Sequence, residues 1–204
     1  MNEGIVSKGE RTRCEITEAA YHLFIKNGYH GTSMRQIAQG AGIALGGIYN
    51  HFSSKEDIFV SVLMLHHPYY AVLPAMRAAR GDTIEAFVRD AAARMVGELE
   101  NRHDFLNLMF IELVEFDSQH VPQLFQTIYP NLMEFAQHFV EKSQEFRPVP
   151  LPIVMRAFIS LFFAYVITEI IIGRQLSPEM QAGALDYFVD IFLHGILASQ
   201  PEAR

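Results

Sequence analysis

Residues 34–52 read MRQIAQGAGIALGGIYNHF, and this stretch decides the fold. A helix-turn-helix packs two short helices at a steep angle around a tight turn. Where they cross the side chain must be small, and Ala38 supplies it. The turn needs a residue that accepts positive φ, and Gly42 follows four residues later. Ile37, Ile43 and Ile48 stand where they hold the second helix down. Just upstream, Ser33-x-x-Gln36 forms a capping box that starts the first of the two helices. The spacing alone equally fits an ordinary helical hairpin, so the flanking residues have to decide.

Working outward, a helix is predicted over Lys8–Asn27, with Ile16, Ala20, Leu23 and Phe24 on one face and Asn27-Gly28 ending it. Another begins at Ser53 or Ser54, with Glu56 and Asp57 in the first turn, where the helix dipole favours them. Beyond Leu65 the helices lengthen, with spans expected over 83–100, 104–116, 122–146, 153–174 and 179–198. Breakers fall at 68–74, 81–82, 122, 147–152 and 177–178. No segment alternates long enough to suggest a strand. The expectation is an all-α protein: a helix-turn-helix three-helix module over 1–66, then a larger helical bundle over 67–204.

Half of the 204 residues are hydrophobic and 19% are charged, which favours a large buried core over disorder. The net charge of −7 argues at first against a nucleic-acid partner. Residues 1–66, however, hold six Lys or Arg against six acidic residues, while 67–204 hold ten against seventeen. The acidity lies in the second part, so charge permits DNA binding without proposing it. The single cysteine, Cys14, reads as an unreactive thiol in a reducing compartment. Residues 1–10 lack the apolar core of a signal peptide. The longest uncharged apolar run, 157–168, is shorter than the ~20 residues that cross a bilayer. A soluble, cytoplasmic protein without a membrane partner is expected.

The flanking residues carry the decision. Ile48-Tyr49-Asn50-His51-Phe52, followed by Ser54-Lys55-Glu56-Asp57, resembles the signature of the TetR family of transcriptional regulators. The resemblance runs from near Arg11 to about Leu65 and takes in Phe24, Gly28, Tyr29, Thr32, Ala38, Ala41, Gly42 and Gly46. It implies a double-stranded DNA operator contacted through phosphates by Tyr49 and His51, with Lys55 opening a helix that docks on the backbone. Thr32 and Ser33 are similarly placed, and Arg35 is in reach of a base edge such as guanine O6 and N7. From the residues alone, Tyr49 also fits half-buried packing and Lys55 a solvated cation. The sequence departs from the family at Ala44, Leu45 and Gly47, where serine, lysine and threonine are common. With Ala44-Leu45-Gly46-Gly47 opening the recognition helix, base readout leans on Arg35, Asn50, methyl contacts of Ala44 and Leu45, and DNA shape.

The last two helices are apolar around most of their circumference, as in Phe158, Phe162, Tyr165 and Ile170, then Leu185, Phe188, Phe192 and Ile196. Surplus apolar surface of that size marks an interface. The family pairs through these helices, which implies a homodimer and a pseudo-palindromic operator. The middle helices are rich in large apolar groups, which on their own read as core. The resemblance implies instead a cavity for a small apolar or aromatic effector. Its candidate lining is His103, Phe105, Met109, Glu112, Phe125, Tyr129, Met133, Phe162, Tyr165 and Glu169.

Glu112 and Glu115 lack the Glu-x-x-His partners of a di-metal bundle, and the histidines are scattered. No phosphate loop, zinc motif or nucleophile elbow is present. Neither enzyme chemistry nor a metal or cofactor is expected. The reading is a ligand-responsive regulator, and the resemblance implies a repressor that its effector releases from DNA. The alternative is a helical small-molecule- or lipid-binding protein with weak or lost DNA binding.

Overall fold

In a computed structural model, residues 7–100, 102–141 and 148–196 are described. Every regular element among them is helical: α1 (Lys8–Asn27), α2 (Met34–Gly40), α3 (Leu45–Ile48), α4 (Lys55–His66), α5 (Tyr69–Arg77), α6 (Ile84–Glu100), α7 (His103–Glu115), α8 (Val121–Glu141), α9 (Leu151–Ile172), α10 (Pro178–Gln181) and α11 (Ala184–Ile196), with a 3-10 turn at Gly173–Gln175.

The chain divides into two compact units, and the division is not a single cut at 66/67. The first unit holds the chain through His67 together with Asp104–Leu124. The second holds Pro68–His103 and Phe125 onward. The added segment brings four acidic residues, Asp104, Glu112, Glu115 and Asp117, and no lysine or arginine. The first unit is therefore acidic on balance, although residues 1–66 alone are neutral.

Local chemistry accounts for the helices of the first unit. Ser7 caps α1 and Ser33 caps α2, each in a reciprocal box with the residue three ahead, Glu10 and Gln36. Ser54 caps α4 by accepting from the Asp57 amide. Gly28, at φ 73°, ends α1, its N–H bonding to Phe24 O. The core beneath joins Ile16, Ala20 and Phe24 of α1 to Ile37, Ile48, Phe52 and Phe59, and it also takes in Leu108 and Phe116 of the later segment. Phe116 stacks on Phe59 at 4.9 Å between centroids and meets Tyr29 edge-on at 4.8 Å.

The second unit is built on α6, α9 and α11, which pack on one another, with α5 on α6. Its core centres on Ala91, Met155, Phe158, Phe162 and Val189. At 22 residues, α9 is long and apolar enough to cross a membrane by length and composition alone. Its buried Val154, Met155, Phe158, Phe162 and Val166 face this core instead.

Two helical boundaries differ from expectation. Residues 68–74 are not simply a break: Pro68 precedes α5 and Pro74 lies inside it, costing one backbone bond in a nine-residue helix. The last helix is two, because Gly183 turns with φ 71° between α10 and α11. As the expected span 122–146 implied, Val121–Glu141 runs through Pro130. The expected ends at 146 and 198 lie outside the described residues.

Candidate nucleic-acid interface

The turn between α2 and α3 is bonded as a Schellman motif. Ile43 N–H donates to Ala38 O at 3.0 Å, and Gly42 N–H donates to Gln39 O at 3.1 Å. Gly42 has φ 69°, as its place in the turn requires. Ala38 is buried beneath the crossing, and Ile37 and Ile48 are fully enclosed. The chain thus breaks where a helix-turn-helix must break, and α3 leaves in a new direction.

α3 spans only four residues, and its N-cap position, Ala44, offers no side-chain acceptor. Past it the chain stays tightly turned, with Asn50 N–H donating to Gly47 O and both His51 N–H and Phe52 N–H to Ile48 O. Phe52 then drops into the core.

The expected site residues fall into two groups. Ser33, Arg35, Ala44, Leu45, Gly46, Tyr49 and Asn50 are exposed along α2 and α3, while Gly47 and His51 are partly so. Tyr49 is 54% exposed, which leaves much of its ring open to a partner. Thr32 and Lys55 face inward. Thr32 is 2% exposed, and its hydroxyl lies within bonding distance of Leu23 O (3.2 Å) and Gly28 O (2.9 Å), so it fastens the α1–α2 loop. Lys55 Nζ donates to Tyr29 O and Thr32 O, both at 2.7 Å, and lies 4.1 Å from the Tyr29 ring centroid. Desolvation pulls this ammonium below the usual lysine range, and Glu115 opposes the shift. The same burial raises the Tyr29 phenol, with Glu56 and Glu115 adding to it.

One functional candidate escaped the sequence reading. Arg13 of α1 donates from Nη1 to His51 O at 2.6 Å, and its Cζ lies 3.9 Å from the Phe52 centroid. The only sequence signal is an arginine on a polar face of α1, indistinguishable there from a solvated cation.

The expected effector lining is divided between the two units. Phe105, Met109 and Glu112 belong to the first unit, whereas Phe125, Tyr129, Met133, Phe162, Tyr165 and Glu169 belong to the second. Glu112 is not available to a ligand: it is fully buried, and both carboxylate oxygens face His120. Phe162 and Tyr165 lie in the second core with Met133 packed against it. Phe125 and Tyr129 form an exposed ring pair at 5.0 Å. The His103 side chain lies outside the described residues.

Residues 16–62 match the family model described as bacterial regulatory proteins, tetR family. Over 92% of its length the chain is 25% identical to the uncharacterized HTH-type transcriptional regulator YvkB of Bacillus subtilis (strain 168), covering 98% of that protein. A crystal structure assigned to the TetR family, from Mesorhizobium loti MAFF303099, matches 94% of the chain and all of its own length at 23% identity, with a TM-score of 0.67. The fatty acid degradation regulator FadR from Bacillus halodurans shares the fold with the same TM-score, at 18% identity, over 95% of this chain and 97% of its own.

A tight α2–α3 turn, an all-helical chain and an exposed α3 define a helix-turn-helix DNA-binding protein. Its N-terminal segment 16–62 matches the bacterial regulatory proteins, tetR family, and over nearly its full length the chain resembles an HTH-type transcriptional regulator and shares the fold of solved TetR-family structures. The relatives it matches are named as transcriptional regulators.

Proposed function

We propose that this regulator binds a pseudo-palindromic operator as a homodimer and that a small apolar effector releases it, so that it acts as a cytoplasmic repressor. The observation that carries the reading is the contiguous exposed face of Ser33, Arg35, Ala44, Leu45, Tyr49 and Asn50 beside a correctly bonded turn. Tyr49, His51 and Ser33 offer phosphate donors, and Arg35 offers a base-edge fork. The glycines at 46 and 47 permit close backbone approach.

Support for pairing comes from α9 and α11. Ile153, Ala157, Ser160, Ala164, Thr168 and Ile171 form one exposed face of α9. On α11, Tyr187 and Ile191 are 69% and 63% exposed. Small and apolar residues in such rows suit close helix packing in a four-helix dimer contact. For the effector, Met133, Phe162 and Tyr165 supply an apolar lining in the second unit, and the FadR relative is a fatty acid degradation regulator by name. The effector favours a form whose two reading heads no longer match the half-site spacing.

The test is titration of a labelled duplex from the protein's own upstream region, alongside a scrambled duplex of equal composition. A clear preference for the upstream duplex, reversed by an apolar ligand, is expected. Equal weak binding to both supports the alternative, a helical ligand-binding protein with little DNA readout. That alternative draws on the glycine-rich four-residue α3 and the acidic first unit.

A further inference from the structure

Both ends of the helix-turn-helix are held by a cation that comes from another helix. At the entrance to α2, Lys55 of α4 sits on the Tyr29 ring and bonds Tyr29 O and Thr32 O. At the exit from α3, Arg13 of α1 sits on the Phe52 ring and bonds His51 O. The two devices are alike: a charge over an aromatic face, aimed at backbone carbonyls that no helix satisfies.

The need for such devices follows from α3 itself. Four residues with two adjacent glycines at 46 and 47 cannot hold a helix by propensity, since each glycine costs about 1 kcal/mol relative to alanine. One short turn also lacks the cooperativity of a longer helix. Its orientation has to be imposed from outside.

We propose that Arg13 and Lys55 are positioning residues that pin the two ends of the helix-turn-helix, and not phosphate ligands. Resting on the DNA-reading assignment above, this deepens it by separating the cations that hold the head from those that touch DNA. Lys55 would have to release two carbonyls to reach a phosphate. Arg11 is paired with Glu15 at 3.1 Å. Among the described lysines and arginines of the first unit, that leaves Lys8 and Lys26 as candidates for phosphate, with Arg35 placed at a base edge. Binding should consequently depend only mildly on salt, because few counterions are released.

The experiment uses the full chain and a duplex that the wild type selects from a randomised pool. Affinities for it and for a scrambled duplex are measured across a salt series for Lys55→Met, Arg13→Met and Arg35→Met. Lys55→Met and Arg13→Met are expected to weaken selected-duplex binding at least tenfold at every salt, on lines parallel to wild type, with a smaller preference over the scrambled duplex. Arg35→Met, which removes the base-edge cation, is expected to reduce the preference over the scrambled duplex while leaving amide exchange at both clamps unchanged. Lys55→Arg and Arg13→Lys, which keep a cation on each ring, should recover part of the loss and serve for the comparison if a methionine variant unfolds.

In DNA-free protein, Lys55→Met should speed amide exchange at Thr32 and Ser33, and Arg13→Met at His51 and Phe52, with α1 unchanged. A slope flattened by either Lys55→Met or Arg13→Met would overturn the proposal, as would unchanged affinity and exchange. If the wild type selects no duplex, the DNA-reading assignment fails, and the exchange pattern alone then decides whether the two clamps exist.

Discussion

The buried carboxylate of Glu112 holds His120 twice: Oε1 accepts from the His120 backbone N–H at 2.8 Å, and Oε2 lies 2.9 Å from Nδ1. The far ring nitrogen, Nε2, is 3.3 Å from Glu56 Oε1, and Gln119 donates to the same Glu56 oxygen at 2.8 Å. Because Glu56 lies in the first turn of α4, the segment 104–124 is fastened to the DNA-reading helices within one unit. Asp117 and Ser118, both at positive φ, make the tight return that brings His120 back.

Glu112→Ala should therefore destabilise the first unit by about 1–3 kcal/mol, because it takes the partner from the part-buried His120 backbone N–H and from its ring nitrogen at once. Glu112→Gln, which can still accept one bond, should cost less. Urea unfolding at neutral pH checks both. A loss below about 0.5 kcal/mol for the alanine variant would mean that the carboxylate does not hold the segment.

Gly42→Ala tests the turn. A Cβ there meets nothing within 4 Å, so its cost is conformational and not steric crowding. At φ 69° an alanine should cost about 1–2 kcal/mol, and asparagine less. Thermal melts give the stability, and duplex titration of the folded fraction gives the binding. Gly42→Ala should lose binding beyond its loss of stability, since the strain falls between the two reading helices.

Tyr49→Phe removes one exposed hydroxyl and leaves the ring. If that hydroxyl donates to a phosphate, affinity should fall about fivefold on every duplex, at the ~1 kcal/mol expected of a neutral hydrogen bond. The salt slope should not change, because the donor is uncharged. Equal affinity of the two proteins would remove Tyr49 from the contact surface.

What sequence could reveal follows from the range of each interaction. The Ser33–Gln36 box and the Gly42 turn are settled within four or five residues, so they can be read directly. The inward roles of Thr32 and Lys55 cannot, because a hydroxyl and an ammonium at a helix start look alike whether they face DNA or a neighbouring carbonyl. Arg13 lies 38 residues from the carbonyl it holds. The attachment of 104–124 to the first unit rests on Phe116 against Phe59 and on the hold of Glu112 on His120, pairings that no periodicity announces. The helix α5 was hidden for a different reason. Pro68 at its N-cap and Pro74 inside it read as a break, because an interior proline gives up a backbone bond and usually ends a helix.

The α11 face gives a test of assembly. Ile191→Asp places a charge where the proposed dimer contact must be dry, while in an isolated chain the same position is 63% exposed and should tolerate it. Sedimentation should show wild type as a dimer and Ile191→Asp as a folded monomer with an unchanged helical spectrum. A variant that remains dimeric would move the contact away from α11.

Acid stability should report the end of α4. Burial lowers the His67 pKa to about 4, from 6.5 for a solvated imidazole, and desolvation lowers His66 as well. His67 also packs edge-on against Phe105 at 4.8 Å. The folded state thus prefers the neutral rings, whereas the unfolded chain takes up protons below its ordinary histidine pKa. Between pH 6.5 and about 4 the unfolded form binds more protons, so stability must rise with pH across that window and level off above it. The His67 share is at most about 3 kcal/mol, since each unit is worth 1.36 kcal/mol. His67→Gln should flatten the rise without abolishing it, because His66 titrates in the same direction. Urea midpoints measured from pH 4.5 to 7.5 in both proteins make the comparison, and parallel curves would show that His67 takes up its proton as readily folded as unfolded.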